Sequence, residues 1–156
     1  MQLTLAHIGP KPPRSGAKAG FEALTQLYLD RIGPYHAIEA VAFKDEAALL
    51  EWLGRQRGRT PAFPVLLDSR GKALSSEALA TWLGARRDEG AQHLVFAIGP
   101  ADGWSAGTVQ ALRAQPHLLL SFGPITMAHE LARLVLAEQL YRACTILVGH
   151  PYHGGH

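Results

Sequence analysis

The sequence predicts an α/β fold: a parallel five-stranded sheet with flanking helices. Two observations carry that expectation. Short apolar runs alternate with stretches of helical spacing along the whole chain, the pattern of βα units joined by right-handed crossovers. Two of the runs, Phe63-Pro64-Val65-Leu66-Leu67 and Leu94-Val95-Phe96-Ala97-Ile98, are nearly continuous in apolar character, as parallel strands covered on both faces must be. At 156 residues the chain has the length of one domain with a proper core, so residues 1–156 read as a single unit.

The elements follow in order. Gln2–Ile8 is the first strand, and Phe21, Leu24, Leu27 and Tyr28 then keep helical spacing. Ala37–Phe43 is the second strand, after which Asp45 is placed to cap a helix carrying Leu49, Trp52 and Leu53. Phe63–Leu67 is the third. Ser75 or Ser76, followed by Glu77, opens a helix with Leu79, Trp82 and Leu83, and Gly90 stands where it should stop. His93–Ile98 is the fourth strand. Ser105 caps a helix with Val109 and Leu112, ended by Pro116, and His117–Ser121 is the fifth strand.

The last helix, near Ala128–Thr145, carries two apolar stripes. Leu131, Leu134 and Val135 form one; Leu136, Leu140, Ala143 and Leu147 form the other. A helix apolar on more than one side is buried more deeply than a surface helix. The second stripe is expected to meet another protomer, the alternative being a helix wrapped by its own tail.

Composition excludes more than it selects. Hydrophobic residues make up 47% and charged ones 18%, and the formal charge is +2, too mild to mark a nucleic-acid binder by itself. Cys144 is the only cysteine, which rules out an internal disulfide, and it reads as a small buried hydrophobe. No stretch approaches the ~20 apolar residues of a membrane span, and no basic leader precedes Gly9-Pro10. No membrane contact and a cytoplasmic location are expected.

Ligands of open α/β sheets bind at the carboxyl ends of the strands. Four loops leave such ends: Gly9–Gly16, Leu67–Lys72, Ile98–Gly103 and Ser121–Met127. Each contains glycine, and three of the four also proline, which suits close approach of backbone to a ligand but also ordinary strand-to-helix turns. None contains Gly-x-Gly-x-x-Gly or Gly-Lys-Ser/Thr, so the common phosphate cradles are disfavoured. A backbone-lined slot without a phosphate clamp suits adenosine joined to an amino acid.

The segment His150-Pro151-Tyr152-His153-Gly154-Gly155-His156 holds three histidines. Pro and Gly make it non-helical and no carboxylate or cysteine accompanies it, so stacking on a base and handling a proton fit better than a metal. Arg55, Arg57, Arg59, Arg86 and Arg87 fall at the opposite edge of the sheet. Glu138 and Arg142 are spaced for an i, i+4 pair, and His129 packs or caps the start of the last helix.

Several separated motifs resemble the RlmH family. They are Leu67-Asp68-Ser69-Arg70-Gly71-Lys72-Ala73-Leu74-Ser75-Ser76-Glu77, the loop Ile98–Gly103, Leu120-Ser121-Phe122-Gly123-Pro124-Ile125-Thr126, His129-Glu130-Leu131, Glu138-Gln139-Leu140-Tyr141-Arg142-Ala143 and Pro151-Tyr152-His153. The resemblance implies a SPOUT-class methyltransferase with a trefoil knot. It implies a homodimer that uses S-adenosyl-L-methionine, without a metal, to methylate N3 of a pseudouridine in 23S rRNA on the assembled ribosome. Leu67, Gly99, Pro100, Gly103, Gly123, Pro124, Ile125, Thr126, Met127 and Ala128 would line the cofactor pocket. Arg142, Tyr152 and His153 would stand on the RNA side, His153 accepting the N3 proton and Arg142 steadying charge on the base. Three positions depart from the family pattern: Pro100 replaces a second glycine, Ala128 a proline, and Gly154-Gly155-His156 a basic tail. Pro100 and the altered tail support one alternative, a non-catalytic ribosome- or RNA-binding dimer; a second is a knotted methyltransferase acting on another RNA.

Overall fold

The computed structural model describes residues 1–56 and 58–154. Its elements are β1 (Gln2–Ile8), α1 (Ala19–Ile32), β2 (Ala37–Phe43), α2 (Glu46–Gln56), β3 (Ala62–Ala73), α3 (Ser76–Asp88), β4 (His93–Ile98), α4 (Ala106–Leu112), β5 (Leu118–Ser121) and α5 (His129–Val148), then a 3-10 turn over Pro151–His153. The strands form one sheet in the order β2-β1-β4-β3-β5, and every neighbouring pair is parallel.

Helices cover both faces. Leu3, Leu5, Val65, Leu94 and Phe96 pack against α1, α3 and α5 on one side, while Ala6, Leu66, Val95 and Ala97 meet α2, α4 and Trp104 on the other. Every residue of β4, the central strand, is buried, which explains its continuous apolar run. The helix starts obey local chemistry. Asp45 Oδ1 accepts from the Ala48 amide at 2.8 Å, Ser75 Oγ from Ala78 at 3.0 Å and Ser105 Oγ from Thr108 at 3.2 Å, each filling an otherwise orphaned helix donor. Ser75 is therefore the cap, and the Ser76 hydroxyl instead donates to Gln139 on α5 at 2.6 Å.

Four expectations need correction. β3 does not end at Leu67 but continues to Ala73. Leu120 of β5 pairs with both Leu67 and Lys72, so the residues between them leave the ladder and return. The polar run Asp68–Lys72 looks like a turn because only Leu67 before it and Lys72 at its end are paired with β5. β5 itself starts at Leu118, one residue later than expected. On α1, the buried residues are Thr25, Leu29 and Ile32, whereas Leu24 and Leu27 are 49% and 41% exposed. Thr25 can turn inward because its hydroxyl donates to the Phe21 carbonyl at 2.7 Å.

The fourth correction concerns α5. Leu136, Leu140 and Ala143 are buried within this chain, and Leu147 lies against α3, where a Cβ on Gly84 would come within 2.9 Å of its side chain. The stripe facing outward is the other one, with Leu131 40% exposed. Periodicity reveals two apolar stripes but not which of them meets the chain's own sheet.

Candidate active site

The carboxyl edge of the sheet holds a cavity of about 450 Å³, within the range of small-molecule and cofactor sites. Three loops build it. Leu67, Asp68 and Ser69 come from β3, Gly99, Pro100, Ala101 and Gly103 follow β4, and Phe122, Gly123, Ile125, Thr126 and Met127 follow β5. The start of α5 closes it with Ala128, His129 and Ala132. Nine of the ten residues named for the cofactor thus share one wall; Pro124 is exposed and outside the lining. The Gly9–Gly16 loop does not contribute. It borders a separate hollow of about 170 Å³ that touches the first through His129.

Long-range contacts hold the three loops in fixed relation. Trp104, almost fully buried, donates its indole N–H to the Leu67 carbonyl at 2.9 Å. Its ring lies so close to Gly99 that a Cβ there would come within 2.8 Å, which explains the glycine. From the other side His129 Nε2 donates to the Gly99 carbonyl at 2.8 Å. After β5, Gly123 adopts φ +92°, a conformation that favours glycine, and donates its amide to Ser121 Oγ at 3.0 Å. Asp68 is clasped by Arg70, whose Nε and Nη2 reach its two oxygens at 2.9 and 2.7 Å. That bond, more than anything else, holds the Asp68 carboxyl below its usual range.

Sequence reading missed Asp68, Ser69 and Phe122 on this wall, although all three lie inside motifs it singled out. It also missed the grip of His129 and Trp104. A histidine one turn from a glycine loop in space, but 30 residues away in sequence, leaves no local signal.

The three residues named for the RNA side lie elsewhere. Arg142 and Tyr152 meet at Glu138, whose Oε1 accepts from Arg142 Nη2 at 2.6 Å and from the Tyr152 hydroxyl at 3.0 Å. The Arg142 guanidinium sits 5.2 Å from the Tyr152 ring centre, and that ring is edge-on to Tyr141 at 4.6 Å. Desolvation, reinforced by hydrogen bonds with Tyr28 and Glu138, pushes the Tyr152 hydroxyl well above its ordinary range, so it remains a donor. His153 is half-buried, and its Nδ1 has no hydrogen-bond partner among the described residues. His150 Nδ1 accepts from the Tyr152 amide at 3.1 Å, capping the final turn; His156, the third histidine of that spacing, lies outside the described residues, as does Arg57.

None of Arg142, Tyr152 and His153 lines the cavity. Ala132, on the cavity wall, and Arg142 are ten residues apart on α5, or about 15 Å along the helix axis. Beside the Arg142 cluster, Leu24, Tyr28, Leu131, Leu134 and Val135 line an outward hollow of about 350 Å³ that also reaches Glu138.

A parallel sheet whose carboxyl-edge loops enclose a slot without a phosphate cradle defines a ligand-binding α/β protein. Residues 1–153 match the family model described as "Predicted SPOUT methyltransferase". The chain is 50% identical over its full length, and that of its relative, to ribosomal RNA large subunit methyltransferase H of Koribacter versatilis. It is 55% identical to the protein of that name from Maricaulis maris, over 98% of this chain and 99% of the relative. The chain belongs to the SPOUT methyltransferases, and within them to the ribosomal RNA large subunit methyltransferase H family. A crystal structure described as that of a hypothetical protein shares the fold, with a TM-score of 0.50 at 14% identity over 94% of this chain, which spans 66% of that protein. No helix among the described residues is long and apolar enough to cross a membrane.

Proposed function

We propose that this chain transfers the methyl group of S-adenosyl-L-methionine to N3 of a pseudouridine in 23S rRNA on the assembled ribosome, working as a homodimer. The observation that carries the reading is the glycine-lined cavity at the carboxyl edge, in a chain 50% identical throughout to a ribosomal RNA methyltransferase.

The cavity suits the donor. Its apolar wall, Leu67, Leu120 and Met127, favours a flat base, and the loop backbones around Gly99 and Gly123 offer polar groups at close range. A lining without a basic clamp, whose carboxylate Asp68 is held by Arg70, fits a ligand without phosphates. Bound there, S-adenosyl-L-methionine supplies an electrophilic methyl group, so the protein's part is alignment and proton handling. N3 of the base carries a proton that must leave before its lone pair attacks. His153 takes that proton, Arg142 stabilises negative charge spreading onto the neighbouring carbonyl oxygens, and the Tyr152 ring offers a face for stacking on a base.

The homodimer reading rests on separation. The Arg142 cluster stands about 15 Å along α5 from its own cavity, and the surface next to it is an unpartnered apolar stripe. A two-fold related copy packed on that stripe carries its own Arg142 toward this chain's cavity. The pairing of Leu120 with both Leu67 and Lys72 supports threading of the β5 segment through the loop between them, as a trefoil knot requires.

Pro100 favours a second reading, a dimer that binds RNA without methyl transfer, because it removes an amide donor from the cavity wall. Incubation with labelled S-adenosyl-L-methionine and ribosomes lacking this modification, followed by mass-spectrometric mapping, decides between them. A methyl group on N3 of a 23S pseudouridine is expected. A folded dimer that transfers nothing moves the assignment to the binding-only reading, and a methyl elsewhere moves it to another RNA site.

A further inference from the structure

We propose that the β1–α1 loop, Gly9–Lys18, holds the phosphate backbone of the RNA that flanks the target base. The inference rests on the RNA reading above and adds a second contact surface to it.

Position comes first. The loop borders the hollow of about 170 Å³ whose far wall, His129, is shared with the cofactor cavity. That volume is below the range of small-molecule sites, so it fits one group of a larger ligand. Lys11, Arg14 and Lys18 are all exposed, and no acidic residue lies between Gly9 and Phe21.

Charge balance is the second observation. The two carboxylates at the hollow are already matched, Glu22 by the buried Arg133 and Glu130 by Lys18 at 3.4 Å. Lys11 and Arg14 have no carboxylate within ion-pairing distance among the described residues. Elsewhere Arg55, Arg70, Arg86 and Arg87 each pair with a carboxylate within four residues in sequence, while the exposed Arg31, Arg59 and Arg113, without an ion pair among the described residues, do not line the hollow. What sets the loop apart is that its unpaired cations stand at the hollow that touches the cofactor cavity.

Stiffness is the third observation. Pro10, Pro12 and Pro13 fix the backbone, and His7 Nε2 donates to the Pro10 carbonyl at 2.9 Å. A strip already set in shape loses little freedom when a ligand lands on it. Behind it, Arg133 Nε and His7 Nδ1 are buried without a hydrogen-bond partner among the described residues, on two side chains that line the hollow and are each about 5% exposed. Cations on a rigid strip hold phosphates and fix register without reading sequence.

The test measures affinity for ribosomes lacking the methyl group over a series of KCl concentrations. It compares wild type, Lys11→Ala/Arg14→Ala, Lys11→Glu/Arg14→Glu and the opposite-edge control Arg55→Ala. Loss of two phosphate contacts should weaken the double-alanine variant by about 10-fold at low salt and make its log–log salt slope shallower by about 1.5 to 2. Charge reversal should weaken binding further, while affinity for S-adenosyl-L-methionine and the melting temperature stay at wild-type values. A double-alanine variant with the affinity and slope of Arg55→Ala overturns the proposal alone. Wild-type protein that binds the cofactor but no ribosome overturns it together with the substrate reading.

Discussion

The two ends of α5 make unlike sites. At its start, the cavity is complete within one chain: Trp104 and His129 lock the Gly99 loop from opposite sides. At its end, Arg142, Tyr152 and Glu138 form a tight cluster beside an open hollow lined by an apolar stripe that no described residue covers. The first region is built to receive a small molecule and the second to be delivered to something. Methyl-donor binding should thus be a property of the protomer, and methyl transfer a property of the assembly.

The largest expected effect strikes the first region. Gly99→Val forces side-chain atoms into the Trp104 ring and displaces the loop, so affinity for S-adenosyl-L-methionine, measured by calorimetry, should fall about 100-fold or more. Arg142→Ala should do the reverse, lowering methyl transfer about 100-fold while cofactor affinity stays within twofold of wild type. Equal losses of both quantities in Arg142→Ala would break the division. Mixing the two inactive variants sharpens it further. Shared sites should restore about a quarter of wild-type activity, since half of randomly mixed dimers are hybrids with one intact site; sites confined to one chain would restore none.

Smaller effects should separate the fold from the site. A Cβ on Gly71 would lie 2.5 Å from the Leu119 carbonyl group, so Gly71→Ala should destabilise the protein by about 1–3 kcal/mol in denaturant titration. The smallest effect is the pH response. Burial holds His7 and His93 below the ordinary histidine pKa of 6.5, so the folded state prefers them neutral. Their contribution is complete above about pH 6.5 and is lost as pH falls through the lower folded-state values, because the unfolded chain then binds more protons. The melting temperature should therefore drop on acidification below neutrality. His93→Gln, which can keep a bond to the Thr4 hydroxyl now 2.8 Å from the ring, should flatten that drop, and an unchanged curve would sink the explanation.

Much of this was legible in the residues, for reasons that are local. Asp45, Ser75 and Ser105 cap helices through bonds spanning three residues, and the glycine- and proline-rich loops announced the cavity. What stayed hidden depends on distance. The indole of Trp104 finds the Leu67 carbonyl 37 residues away, and no spacing rule connects them. The outward stripe of α5 was misassigned because both stripes are equally periodic, and only the sheet beneath decides between them. Arg142 was picked out by motif resemblance rather than by chemistry, and its partner Glu138 reads equally well as an ordinary helix pair.

The double pairing of Leu120 also bears on biosynthesis. β5 occupies the sheet edge beside β3, and its following loop supplies Gly123 through Met127 to the cavity. A nascent chain that has produced only β1 through β4 can assemble most of the sheet, yet it has no third wall for the methyl donor. On the proposed assignment, donor binding waits until β5 and the loop after it have formed and docked, an order set by long-range strand pairing. Capacity to hold the donor thus serves as a maturity mark, borne only by chains that have completed their final turn through the fold.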